Sequence, residues 1–292
     1  MSGFMISGNL FLLIGYYPAL LLGSDSNLDE CFVDITEQIK NVNWPQVLEW
    51  VHAVSDSTGL ELPFNQLKAA PYVSLAPSSA DDEGGLQLCR EEGIKLLKSG
   101  RVAGFTVAGG QGTRLGYDGP KGTYCFSEIE NKSLFQYFAE SLQCHQRKYD
   151  VILPWYIMTS PANNQATVDF FKKHDYFGLD PQNVMFFIQG TLPAFSFDGK
   201  ALLETKSSLA LSANGHGGSF VALHDSGALE DMKRRGIDIL TYWQVDNPMV
   251  NMFDPLFIGM HHISGSEMSS RALIKRDAKE KLGHFCILDG KT

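Results

Sequence analysis

A glycine-dense loop carrying two cations is the part of this 292-residue chain best equipped for chemistry. It runs Val107-Ala108-Gly109-Gly110-Gln111-Gly112-Thr113-Arg114-Leu115-Gly116 and continues into Gly119-Pro120-Lys121-Gly122. Glycines without Cβ atoms let successive N–H groups converge on phosphate oxygens, and Arg114 and Lys121 add charge-assisted contacts. That combination suits a nucleoside triphosphate. A P-loop needs Ser or Thr after its Lys, whereas Gly122 follows Lys121; the dinucleotide fingerprint needs a glycine where Leu115 stands. Neither motif fits, and a turn without a ligand has no need of both an Arg and a Pro-anchored Lys.

The loop must be held by the element before it. Val102–Ala108 is short, uncharged and rich in β-formers, which predicts a central strand of a mostly parallel sheet covered on both faces. Further strands are expected at 155–159, 184–188 and 237–245, alternating with helices. Ser133 with Gln136 predicts a capped helix start, Asn163 a cap for the next helix, and Ser226 and Gly236 the two ends of another. The pattern is α/β and doubly wound, so ligands bind beyond the carboxyl ends of the strands. Besides the loop, three positions lie there: Gln189, the turn Asn214-Gly215-His216-Gly217-Gly218, and Asp246-Asn247. The residues alone leave two readings of each open. Gln189 suits a pyrimidine edge or a plain strand end; His216 suits a ligand or a turn; Asp246 suits a divalent cation or an Asx turn.

The segment A-G-G-Q-G-T-R-L-G from Ala108 to Gly116, with P-K-G at 120–122, resembles the eukaryotic-type UDP-sugar pyrophosphorylases, specifically the UDP-N-acetylglucosamine pyrophosphorylases. UDP-glucose pyrophosphorylases usually carry Asn before the glycines and Thr-Thr-Met in place of Thr-Arg-Leu. The resemblance implies a Rossmann-like, GT-A-like nucleotidyltransferase core with a small N-terminal helical region. It implies uridylyl transfer from UTP to N-acetylglucosamine-1-phosphate, with another UDP-sugar or a non-catalytic nucleotide-binding fragment as alternatives. On this pattern Val107, Ala108, Gly109, Gly110, Gly112, Lys121, Gln189, Gly215 and Asp246 hold the nucleotide. Arg114 and Lys121 neutralise charge during transfer, His216 meets the sugar, and Asp246 holds Mg2+ or Mn2+. Known eukaryotic members have Asn where His216 stands, so the sugar side departs from the pattern.

A net charge of −9 argues against a nucleic-acid or anionic-membrane surface. The five cysteines are odd in number and include no C-x-x-C pair, which favours a reducing, cytoplasmic setting. His261-His262 lacks an acidic companion at ligand spacing, and Lys233-Arg234-Arg235 suits a helix C-terminus; both read as structural. Residues 1–26 form an apolar tail, without a charged side chain over 1–23 and broken by Gly8, Gly15 and Pro18, a poor membrane segment. Residues 27–98 are expected to be helical over 27–70, a linker over 71–85, and helical again from about 86 to 98. The core is expected over 99–292. Because members of the resembling family continue past the segment matching His284–Gly290, the resemblance implies an incomplete core lacking its C-terminal part.

Overall fold

The computed structural model describes residues 35, 38–40, 42–55, 63–76, 79–127, 129–196, 200–205, 207–277, 279–280 and 282–290. The apolar segment at 1–26 lies outside the described residues. Two compact units form, one from described residues of Met1–Asn65 with Thr191–Asn214, the other from Gln66–Gly190 with Gly215–Thr292.

In the first unit, α1 (Trp44–Ser55) begins with Pro45 in its first turn, and its neighbours Ile35 and Ile39 bury against Leu209. Trp44 Nε1 donates to the Ile39 carbonyl at 2.7 Å, fixing the helix entry. Short antiparallel ribbons complete the unit. In one, β5 (Thr191–Pro193) pairs with β8 (Leu211–Ala213); in the other, β6 (Leu203–Thr205) pairs with β7 (Ser208–Leu209).

The second unit is built on a parallel sheet of β2 (Val102–Val107), β3 (Trp155–Thr159), β4 (Val184–Ile188) and β9 (Ile239–Gln244), in the order β4-β3-β2-β9. Side chains alternate with the pleat. On one face Val102, Trp155, Ile157, Val184, Ile239 and Trp243 join a core with α2 (Ala80–Lys98), α3 (Leu134–Tyr149), α4 (Asn164–Lys173) and α7 (Pro255–Ser264). On the other, Ala103, Phe105, Tyr156, Met158 and Phe187 meet α5 (Gly218–Asp225) and α6 (Ala228–Arg235). Helices on both faces make the sheet doubly wound, and β2 and β3 are internal, as their unbroken apolar runs predict.

Local details differ from expectation. Of the helix expected over 27–70, Trp44–Ser55 forms, but residues 64–66 turn and β1 (Lys68–Ala69) pairs with β10 (Cys286–Ile287), a partner no local pattern reveals. α2 starts at Ala80, inside the expected linker. Ser79 caps it by accepting from the Asp82 N–H, and Asp81, Asp82 and Glu83 oppose the positive helix end despite Gly84-Gly85. Ser226 ends α5 rather than starting α6, whose N-cap is Gly227; α5 itself lacked a sequence signal. Ser133 does cap α3, accepting from the Gln136 N–H, and Gly236 closes α6 in a left-handed conformation. Strand β9 is Ile239–Gln244, shorter than 237–245. No described helix is long and apolar enough to cross a membrane.

Arg234 and Arg235 serve the fold. Arg235 Nε and the Tyr156 hydroxyl donate to Asp231 Oδ2 at 2.8 and 2.7 Å, and Arg234 pairs with the same carboxylate. Burial works to raise the Asp231 carboxyl, but these hydrogen bonds prevail and hold it below the ordinary range. A depressed folded-state pKa contributes stability above the unfolded value, about 3.9, that is lost as pH falls through the folded one. Asp231→Asn is therefore expected to remove about 1–2 kcal/mol at neutral pH and progressively less in acid. Thermal melts across that range check this; a deficit independent of pH would refute it.

Candidate functional site at the carboxyl edge of the sheet

The parallel register brings the expected site segments to one edge. Ladder bonds continue past the strands: the Ala108 N–H donates to Met158 at 2.7 Å, Gln189 to Thr159 at 2.8 Å and Val245 to Val107 at 3.1 Å. β3 and β4 continue on one side of β2 and β9 lies on the other, so the glycine loop emerges at the switch in strand order, where open sheets bind ligands.

The loop is cinched by its own backbone. Gly112 donates to the Gly119 carbonyl at 2.9 Å and Lys121 to the Gly110 carbonyl at 3.0 Å, with Gln111 opposite Pro120. Tyr117 and Thr123 hydroxyls meet at 2.8 Å beneath it. Arg114 lies on an exposed single turn, Thr113–Leu115, with no hydrogen bond or ion pair among the described residues. Lys121 opens a second turn, Lys121–Thr123, whose Gly122 packs on the Phe135 ring. Its Nζ lies over Gly110, where a Cβ would stand 3.6 Å away, and pairs with Asp246 Oδ2 at 2.8 Å. The Lys121 side chain is 20% exposed and that of Asp246 45%, so the pair faces solvent at the loop's rim.

Gln189, 8% exposed, donates from Nε2 to the Gly215 carbonyl at 2.9 Å. The chain leaves this unit after Gly190 and re-enters at Gly215, so this amide ties exit to return. A Cβ on Gly109 would come within 3.2 Å of Gln189 Oε1 and 3.3 Å of the Ser160 nitrogen. A side chain there would crowd the buried amide and the β3 turn, both of which approach the loop backbone. Val107 and buried Ala108 lead into this contact.

Exposed His216 meets the Tyr242 hydroxyl of β9 through Nδ1 at 2.9 Å. Burial pushes the Tyr242 phenol up, so it keeps its proton and can donate to Nδ1. His261 and His262 lie apart on α7, bonded to Ser269 Oγ at 2.9 Å and paired with Glu92 at 3.5 Å.

Asn163 is the functional-edge residue that sequence reasoning misread. At the α4 N-terminus its side chain makes no capping bond to the helix. Instead, 1% exposed, it accepts from the Ser160 N–H at 2.9 Å and donates to the carbonyls of Ala108 at 3.0 Å and Gly110 at 3.3 Å. Its position just beyond β3, the criterion that singled out Gln189 and Asp246, was the available signal.

The sequence profile of the UTP--glucose-1-phosphate uridylyltransferase family matches residues 67–292. The chain is 42% identical over 206 residues to the mouse UDP-N-acetylhexosamine pyrophosphorylase-like protein 1, covering 68% of this chain and 41% of that protein. Likewise it is 39% identical over 213 residues to the probable UDP-N-acetylglucosamine pyrophosphorylase of Schizosaccharomyces pombe, covering 68% and 45%. The chain thus spans less than half the length of these curated relatives. A crystal structure of the uridine diphosphate N-acetylglucosamine pyrophosphorylase from Trypanosoma brucei in complex with inhibitor superposes with a TM-score of 0.77. It covers 99% of this chain and 61% of that one at 24% identity, a likeness of fold.

Proposed function

Because this chain belongs to the UTP--glucose-1-phosphate uridylyltransferase family, we propose that it carries the UTP-binding half of a UDP-N-acetylglucosamine pyrophosphorylase. The observation that carries this reading is the convergence of the glycine loop, Gln189 and the Lys121–Asp246 pair on one sheet edge. The names of its relatives support N-acetylglucosamine-1-phosphate as the second substrate.

In the reaction, a phosphate oxygen of the sugar 1-phosphate attacks the α-phosphorus of UTP, and pyrophosphate leaves in line. No protein nucleophile takes part. Gln189 and Gly215 read uracil through amide and backbone groups. Loop N–H groups, Arg114 and Lys121 bind and neutralise the phosphates, which lowers the barrier by positioning and charge stabilisation. His216 meets the sugar.

The donor set suits a magnesium ion shared with substrate. Asp246 is a half-exposed carboxylate at the loop's rim, and no group of three or more His, Cys, Asp or Glu residues forms a metal cage among the described residues. Mg2+ or Mn2+ fits one carboxylate completed by phosphates and water, and it would supply further charge neutralisation there. A cytosolic setting accords with the unpaired cysteine spacing.

Pyrophosphate release is the test, with UTP against N-acetylglucosamine-, N-acetylgalactosamine- and glucose-1-phosphate. The expected result is release that is greatest with N-acetylglucosamine-1-phosphate. UTP binding with no release from any sugar would instead make this chain a nucleotide-binding module, and absence of both would overturn the proposal.

A further inference from the structure

The geometry assigns to Asn163 the role of a positioning residue for the triphosphate, an inference that rests on the UTP-binding reading. Its carboxamide is nearly sealed from solvent, at 1% exposed, and joins two loops at the carboxyl edge. Oδ1 accepts the Ser160 N–H, and Nδ2 donates to the carbonyls of Ala108 and Gly110. Only this amide orientation works, because two carbonyls require donors and an N–H requires an acceptor. The residue's own backbone is held as well: its N–H donates to the Ser160 carbonyl at 3.1 Å and its carbonyl accepts from Thr167 at 2.9 Å.

Peptide planarity turns this anchoring into a function. The Ala108 carbonyl shares a peptide plane with the Gly109 N–H, and the Gly110 carbonyl shares one with the Gln111 N–H. In a trans peptide the two groups point in opposite directions, and no peptide in the described chain is cis. By drawing both carbonyls toward itself, Asn163 turns the Gly109 and Gln111 N–H groups away from the β3 turn. Neither donates to a backbone carbonyl among the described residues. These two donors, with the Lys121 ammonium over the intervening Gly110, are left for phosphate oxygens. Since the Gly110 carbonyl also accepts the Lys121 N–H, the same anchor sets where the lysine departs from the loop.

Asn163→Asp is the discriminating variant: nearly isosteric, it replaces the amide donor with carboxylate oxygens facing two carbonyls. In calorimetric titrations of the whole chain, Asn163→Asp is expected to weaken UTP binding at least tenfold while uridine binding changes less than about threefold. Equal losses for UTP and uridine, or none for either, would overturn the assignment. Should the variant fail to fold, amide NMR of the unaltered chain decides. UTP is expected to shift the Gln111 N–H signal and uridine to leave it unchanged; UTP binding without that shift refutes the inference alone. Failure of the unaltered chain to bind UTP would overturn the UTP-binding reading itself, and this inference with it.

Discussion

Lys121→Ala is expected to lower turnover on the order of 10²–10³-fold, the usual effect of deleting one preorganised donor to developing charge, while uridine affinity changes less than about threefold. The separation follows from geometry. Lys121 Nζ touches Asp246 and overlies Gly110, whereas Gln189 and Gly215, the groups proposed to read uracil, bond to one another and not to the lysine. A phosphate-side cation that acts more strongly on the transition state than on bound substrate lowers kcat when lost. Steady-state pyrophosphate release gives turnover, and calorimetry with uridine gives the binding arm. Equal losses in both would remove Lys121 from the phosphates and make it a structural partner of Asp246.

Gly259→Ala is expected to destabilise the chain by about 3 kcal/mol or more, the upper end of what overpacking costs. A Cβ there would overlap the Cys89 carbonyl of α2, and one on Gly93 would overlap the Pro255 carbonyl of α7, so the two helices meet backbone to backbone. Backbone cannot rotate aside as a side chain can, and accommodation requires the helices to separate. Gly84→Ala in the same α2 is the control. It is exposed with nothing within 4 Å, and it is expected to gain about 0.5–1 kcal/mol from helix propensity. Thermal melts of both variants should move in opposite directions; a Gly259→Ala melt matching the unaltered chain would show that the helices tolerate separation.

Much of this architecture is written locally. Largely apolar β-forming runs marked β2, β3, β4 and β9 to within two residues, because burial between two helical layers demands such runs. Ser133 caps α3 as its spacing with Gln136 indicated, since capping satisfies N–H groups within one turn. Glycine content misled at 84–85, where a Ser cap and three acidic residues outweigh two glycines and start α2 early. Asn163 misled in the opposite sense: its residue type suits a cap, but two loop carbonyls claim its amide.

The sequence by itself determined the doubly wound class, the glycine loop and the strand ends at which Gln189 and Asp246 stand. Tertiary structure alone decided which of these groups meet. Lys121 and Asp246 are 125 positions apart in sequence, and they pair because β9 lies beside β2 in parallel register. Asn163 reaches Ala108 and Gly110 because β3 flanks β2 on the other side. Backbone sterics and periodicity act over a few neighbouring residues, so they leave marks in the sequence. Strand order and register arise from packing the whole sheet between its two helical layers, a balance that no short segment contains.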